Sequence, residues 1–458
     1  MYDLIIIGGG AAAFAAATKA NDLGAKALMF NEGLPLGGTC VNVGCVPSKH
    51  LLGVAEALHA ARTSHFTAVQ PKGAGFSLRD AIAEKDELVA GLRHQNYHRV
   101  LDALETVEFR QARARLAGEG RVEAGGELIE GKHVLVATGA RAAAPPIPGL
   151  QEAGYLTNIE ALDLTELPER LAIIGGGPLG LEFAQVFARF GARVTVIEME
   201  HHIVPRTEPE IAAVLQQALE NDGITILTNT MVREVKAGSP KIVVAGDETI
   251  EADSILVATG IRANTDGLRI EMANGSLNPA GFVQADKYYQ VAPRLWAAGD
   301  VLGRMPLETV AAKEGALAAG NALDGRRDSL DYDAVPWAVF TSPQLAGVGF
   351  TEDASMERTN YCNCRTVYYT QVPKAMALKD QLGAVKLTVD REDRIRGAHA
   401  VGTNAAEIIH EAALAISQGM TVHDIINTVH VFPTYSEAMK LAAQAFTRDI
   451  SVMTCCIG

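Results

Sequence analysis

The opening residues set a pattern that the chain uses twice. An apolar run, Asp3-Leu4-Ile5-Ile6-Ile7, meets Gly8-Gly9-Gly10-Ala11-Ala12-Ala13, and a helical stretch follows. A continuous apolar run predicts a strand buried on both faces, as in a parallel sheet. Glycines between such a strand and a helix let the backbone approach a pyrophosphate at the helix N-terminus. A second strand is expected over Lys26 to Phe30, ending at Asn31 and Glu32, where a ribose-binding side chain belongs. The pattern recurs when Arg170 to Ile174 runs into Gly175-Gly176-Gly177-Pro178-Leu179-Gly180, a helix through Phe190, a strand from Arg193 to Ile197, and then Glu198. One such glycine motif is weak, because an ordinary tight turn gives the same letters. Two copies, each after a strand, before a helix and with an acid about 20 residues on, predict two dinucleotide sites.

Two further segments echo each other. Val134 to Gly139 and Ile255 to Gly260 both read as strands ending in Ala-Thr-Gly, each closing a dinucleotide domain. Pro145-Pro146-Ile147-Pro148-Gly149 marks a stiff boundary between them. Leu295 to Asp300 reads as a strand ending in Gly-Asp that returns the chain to its first domain. From about Val335 short strands alternate with helices and no glycine fingerprint appears, which predicts a separate α+β domain. The expected fold class is α/β, with two Rossmann-like domains and a C-terminal α+β domain.

Composition narrows the function. At 458 residues the chain is too long for one core. A formal charge of −14 argues against nucleic acid or an anionic membrane as partner. No apolar run has the length of a membrane span. The start of the chain lacks an export signal, so the expected compartment is the reducing cytoplasm, where cysteine pairs read as catalytic or metal-binding.

There are six cysteines, in three close pairs. Cys40 and Cys45 lie in a run from Gly37 to Lys49 and have the look of a redox disulfide. Cys455 and Cys456 are adjacent, and a bridge between neighbours closes a strained ring. A dithiol that resists closing on itself suits a soft metal ion. The two pairs together suggest an enzyme that reduces a soft metal. Cys362 and Cys364 sit in an expected strand, Tyr361 to Tyr369, whose period of two places both thiols on one face. An auxiliary metal site is one reading of them; small apolar side chains packing on a strand face is the preferred one.

On the run from Gly37 to Lys49, the paired fingerprints and Asp300, the chain resembles the pyridine nucleotide–disulfide oxidoreductases over nearly its whole length. The resemblance implies a homodimeric flavoenzyme with an FAD domain in residues 1–145 and 265–333, an NAD(P) domain in 146–264 and a dimer-interface domain in 334–458. It implies that FAD is held by Gly8, Gly10, Ala13, Asn31, Glu32, Thr39, Thr138, Gly139 and Asp300, and the coenzyme by Gly175, Gly177, Gly180 and Glu198. It places Lys49 near the flavin, paired with Glu182, with Cys45 nearest the ring. The plain alternatives are a solvated helix lysine for Lys49 and a surface acid for Glu182.

Disulfide reductases of the family carry His-Pro-Thr…Glu, whose histidine moves protons to and from thiols. This chain reads His430-Val431-Phe432-Pro433-Thr434-Tyr435-Ser436-Glu437, and a phenyl ring at Phe432 transfers no proton. His430 reads as a structural histidine. With the Cys455-Cys456 tail, the chain resembles the mercuric reductase branch. That resemblance implies reduction of Hg(II) to Hg(0) by NAD(P)H, with Hg(II) passing from Cys455 and Cys456 of one subunit to Cys40 and Cys45 of the other. Tyr155 and Tyr435 then either line the metal path or pack an interface. The alternative is a dihydrolipoamide dehydrogenase- or glutathione reductase-like disulfide reductase; a metal scavenger without turnover needs no electron source. Glu198 favours NADH, since an acid there accepts from the ribose 2′-OH and repels a 2′-phosphate, whereas the resemblance implies NADPH. Because the chain opens on the FAD strand, without the metal-trafficking domain of longer relatives, Hg(II) is expected from small thiols or another protein.

Overall fold

The computed structural model describes residues 1–452. The chain forms two compact units, the first made of residues 1–50, 82–143 and 260–330 and the second of 51–81, 144–259 and 331 onward. Residues 51–81, grouped by sequence with the opening segment, belong to the second unit.

The first unit is built on one sheet in the order Gln290–Ala292, Leu295–Ala297, Glu127–Val136, Tyr2–Ile7, Ala27–Asn31, Val107–Gln111. The strands from Leu295–Ala297 to Val107–Gln111 run parallel, with Ile5 beside Leu28 on one side and Val134 on the other. Leu4, Ile5 and Ile6 are fully buried, as the uninterrupted apolar run requires. Each such side chain contributes roughly 1.5–3 kcal/mol by leaving water. The helices Ala11–Asp22 and Glu308–Asp324 pack closely, because small residues line their contact: a methyl group on Gly315 would stand 2.0 Å from the Ala12 carbonyl oxygen. The second strand reaches one residue further than expected, to Asn31, and the Leu295 strand is shorter, ending at Ala297 before a 3-10 turn, Asp300–Leu302.

The second unit holds two main sheets. A parallel sheet runs Thr225–Leu227, Arg193–Ile197, Arg170–Ile174, Ser254–Val257. An antiparallel sheet runs Trp337–Val339, Gln344–Gly349, Ile395–Gly402, Ala384–Val389, Asn363–Tyr368 and is covered by helices that include Ala405–Ser417 and Glu437–Gln444. Among the described residues no helix is long and apolar enough to cross a membrane.

Candidate active site

In the first unit the strand Tyr2–Ile7 ends at Gly8, which has φ +144° and stands so near the next strand that a Cβ would lie 2.1 Å from the Ala137 oxygen. The helix Ala11–Asp22 then begins at Gly10 with no side-chain cap, so its first amides are available to an anion. A cavity of about 670 Å³ opens at this point. Gly8, Gly10, Asn31, Glu32, Thr39, Cys40, Cys45, Thr138, Gly139 and Asp300 all line it. Ala13 does not: it is fully buried in its helix. Lys49 also lies outside the lining, half-buried one helical turn after Cys45.

The lining fits a flavin dinucleotide. The Thr138 hydroxyl is buried with no partner, an unmet need that a polar ligand satisfies. Burial pushes the Asp300 carboxyl up to about 6, which favours a neighbour rich in hydroxyls. Asn31 donates to the Leu34 carbonyl at 3.0 Å, and Glu32 is exposed and paired with Arg113 at 3.7 Å.

The thiols come from two helices that meet at Gly44. Cys40 lies in Gly38–Val43, and Cys45 is the first residue of Cys45–Arg62, where aligned peptide dipoles favour an anionic side chain. Neither is joined in a disulfide. The loop is clamped by Asn42, whose amide donates to the Gly38 oxygen at 2.8 Å and to the Pro35 and Leu36 oxygens at 3.1 Å. Glu308 completes the cluster. Its Oε2 accepts from Cys40 Sγ and its Oε1 from the Tyr97 hydroxyl at 3.4 Å. The ligand atoms of Cys40, Cys45 and Glu308 lie within 4.8 Å of one another. The hydrogen bond with Cys45, then burial, then the negative charges of Cys45 and Glu308 push the Cys40 thiol far up. Burial and the Glu308 charge likewise hold Tyr97 protonated. Sequence reading missed Glu308 and Asn42. Glu308 is 268 residues from Cys40, and only a general cue, an acid in the first turn of a helix, marked it.

In the second unit the other glycine loop has the same build. Gly175 has φ +112°, and Gly177 precedes the helix Pro178–Phe190 with no side-chain cap. A Cβ on Gly180 would lie 2.1 Å from the Gly175 oxygen. Glu198 is buried, and its carboxylate accepts from the Gly176 amide at 2.6 Å and the Glu200 amide at 2.9 Å. Glu182 is not a surface acid: it is buried and accepts from the Phe340 amide at 3.0 Å.

The tyrosines are placed by packing. The Tyr155 hydroxyl accepts from Gln151 at 3.4 Å, and its ring packs on the core around Leu150. Tyr435 is buried in the C-terminal core, stacked on Tyr369 with ring centres 5.4 Å apart, and donates to Asp380 at 2.7 Å. His430 bonds Glu411 at 2.8 Å, as a structural histidine does, while Phe432 is half exposed. Cys455 and Cys456 lie outside the described residues. Cys362 and Cys364 depart from the apolar reading: they are joined as a disulfide, half-buried, beside Glu352.

Comparison with known proteins agrees with this geometry. Residues 2–315 match the family described as pyridine nucleotide-disulphide oxidoreductase, and residues 335–443 match its dimerisation domain. A mercuric reductase of Streptomyces lividans is 41% identical, covering 100% of this chain and 98% of its own. One of Staphylococcus aureus is 37% identical, covering 100% of this chain and 84% of its own. The Cu(II) complex of the HOCl-induced flavoprotein disulfide reductase RclA from Escherichia coli superposes with a TM-score of 0.83 at 27% identity, over 95% of this chain and 98% of that one.

Proposed function

The chain belongs to the pyridine nucleotide-disulphide oxidoreductase family, and from that premise we propose that it is a mercury(II) reductase using FAD and NAD(P)H. The observation that carries this reading is the cluster of Cys40, Cys45 and Glu308 at the edge of the dinucleotide cavity. Two thiols hold a soft ion, and the carboxylate places further negative charge beside it.

Gly8, Gly10, Asn31, Glu32, Thr39, Thr138, Gly139 and Asp300 would hold the FAD, and Gly175, Gly177, Gly180 and Glu198 the coenzyme. When bound, the flavin supplies the electron pair, drawn from NAD(P)H, that converts Hg(II) to Hg(0). The chain's own groups manage the metal. Cys455 and Cys456 take Hg(II) from small thiols one ligand at a time. Cys40 and Cys45 then receive it, with Asn42 fixing their loop. The product is an atom and needs no proton, so Phe432 in place of a histidine costs nothing here, whereas thiol–disulfide exchange would lose its acid–base group. Lys49 and Glu182 are proposed to serve the flavin side of the site. Tyr155 and Tyr435 contribute packing.

The dimerisation domain brings two copies together, with the tail of one serving the thiols of the other. The exposed apolar run Val429, Val431 and Phe432 supports a covered surface in that region. Residues 146–264 are proposed as the coenzyme domain and 334–458 as the dimer domain. The Glu198 side chain is fixed on the glycine loop by the Gly176 and Glu200 amides, which favours NADH over NADPH.

The test is coenzyme oxidation dependent on Hg(II), with volatile mercury collected and NADH and NADPH compared by kcat/KM. Mercury release with usable NADH is expected. Oxidation that requires a disulfide substrate instead would refute the mercury reading, and a strong NADPH preference would refute the assignment of Glu198.

A further inference from the structure

The strands Asn363–Tyr368 and Ala384–Val389 pair antiparallel, with Cys364 opposite Thr388 and Thr366 opposite Lys386. Period two puts these four side chains on one face. Cys364 Sγ lies 3.6 Å from the Thr388 hydroxyl. The turn before the strand is pinned by Ser355 and Thr359, which donate to the Tyr361 oxygen at 2.8 and 3.1 Å, so Cys362 is held against Cys364. The helix Glu352–Thr359 carries Glu352 at its start, and its carboxylate and both sulfurs lie within 4.8 Å of one another.

A carboxylate within reach of both sulfurs can complete a cation site with them. Lys386 is the single ammonium among three carboxylates, with Glu210 at 2.7 Å, Glu352 at 2.9 Å and Glu208 at 3.0 Å. The Arg365 guanidinium, which donates to the Cys364 carbonyl oxygen at 2.7 Å, brings the cations here to two, and burial pushes the Glu208 carboxyl toward its neutral form. Small apolar side chains on a strand face would need none of this.

We propose that Cys362, Cys364 and Glu352 form a second soft-metal site, separate from the Cys40–Cys45 cluster and independent of the mercury reading. The pair is loaded after reduction by small thiols: two such thiols leave joined as a disulfide, and their two hydrogens end on Cys362 and Cys364. A divalent soft ion then displaces both protons, forms two metal–sulfur bonds and takes one oxygen of Glu352. No electrons pass in the second step.

Cadmium(II) is the probe, because its thiolate charge-transfer absorption reports sulfur ligation. In flavin-loaded protein with Cys40, Cys45, Cys455 and Cys456 all changed to serine, reduced and then freed of reductant, one Cd(II) per chain is expected with that absorption. Adding Cys362→Ser and Cys364→Ser should abolish it, and Glu352→Gln should weaken binding by about tenfold. No thiolate-bound Cd(II) in the four-serine protein would overturn the site. If that protein does not fold, the native enzyme and Cys362→Ser/Cys364→Ser are compared. Loss of one bound Cd(II) with Hg(II)-dependent coenzyme oxidation unchanged supports the site, and an equal count in both overturns it.

Discussion

A carboxylate within hydrogen-bonding reach of a thiol alters what that thiol does. Glu308 accepts from Cys40 and from Tyr97, so it fixes the rotamer of the one and is itself fixed by the other. Glu308→Gln keeps the shape and removes the charge. Loss of a charge-assisted hydrogen bond is worth about 1.5–3 kcal/mol, so Hg(II)-dependent kcat/KM should fall roughly 10- to 100-fold. Flavin reduction by coenzyme, followed by stopped flow, should hardly change; an equal fall in both would show general damage. Asp300 makes a prediction about pH. Burial raises its carboxyl from 3.8 to about 6. The flavin-free protein therefore has this stability in full below about pH 4 and loses it as pH rises through 6, because the fold disfavours the charged form. Asp300→Asn removes that dependence. Its stability relative to the parent, by urea unfolding of flavin-free protein, should gain about 2–3 kcal/mol between pH 4 and pH 7. A constant difference across that range would contradict the assignment.

At the scale of elements, the glycine loops work only because helices sit close beneath them. A methyl group on Gly315 would meet Ala12 backbone atoms at 2.0 to 2.8 Å, and backbone cannot swing aside as a side chain can. Gly315→Ala should therefore destabilise by about 1–3 kcal/mol and lower flavin retention, since the two helices it would separate both open on the cavity. Thermal melting and the flavin-to-protein absorbance ratio check this; normal flavin content would mean that the helix contact does not shape the cavity. The strands and glycine turns were legible in sequence because apolar continuity and the need for positive φ are local properties. Tyr2–Ile7 and Arg170–Ile174 could be marked from their letters alone. Cys362 and Cys364 were marked as sharing a face, but the reading of that face failed. Of the acids beside it, Glu208 and Glu210 are remote in sequence, and no periodicity reports them.

At the scale of the whole molecule, the family and the two glycine loops were legible, because each rests on a contiguous motif. The partner of Cys40 was not, since Glu308 arrives through the return of the chain to its first unit. Neither was the grouping of residues 51–81, which follows tertiary packing. If the tail of one subunit serves the other, two separately inactive variants should rescue each other. Cys455→Ala/Cys456→Ala coexpressed with Cys40→Ser/Cys45→Ser should recover about a quarter of native turnover on thiol-ligated Hg(II), because half the dimers are mixed and each has one complete site. No recovery in isolated mixed dimers would mean that each tail serves its own subunit.

The interrupted build of the first unit also bears on how the enzyme matures. The cavity is lined by residues from Ile7 to Ala311, and the carboxylate beside Cys40 is Glu308. While the ribosome is still making the second glycine loop, one wall of the cavity does not yet exist. Cofactor loading is thus a late event in biosynthesis, and every nascent chain passes through a stage in which Cys40 and Cys45 are already made but have neither flavin nor Glu308 beside them. A nascent chain that stops short of Glu308 should therefore fail to retain flavin that the full chain retains.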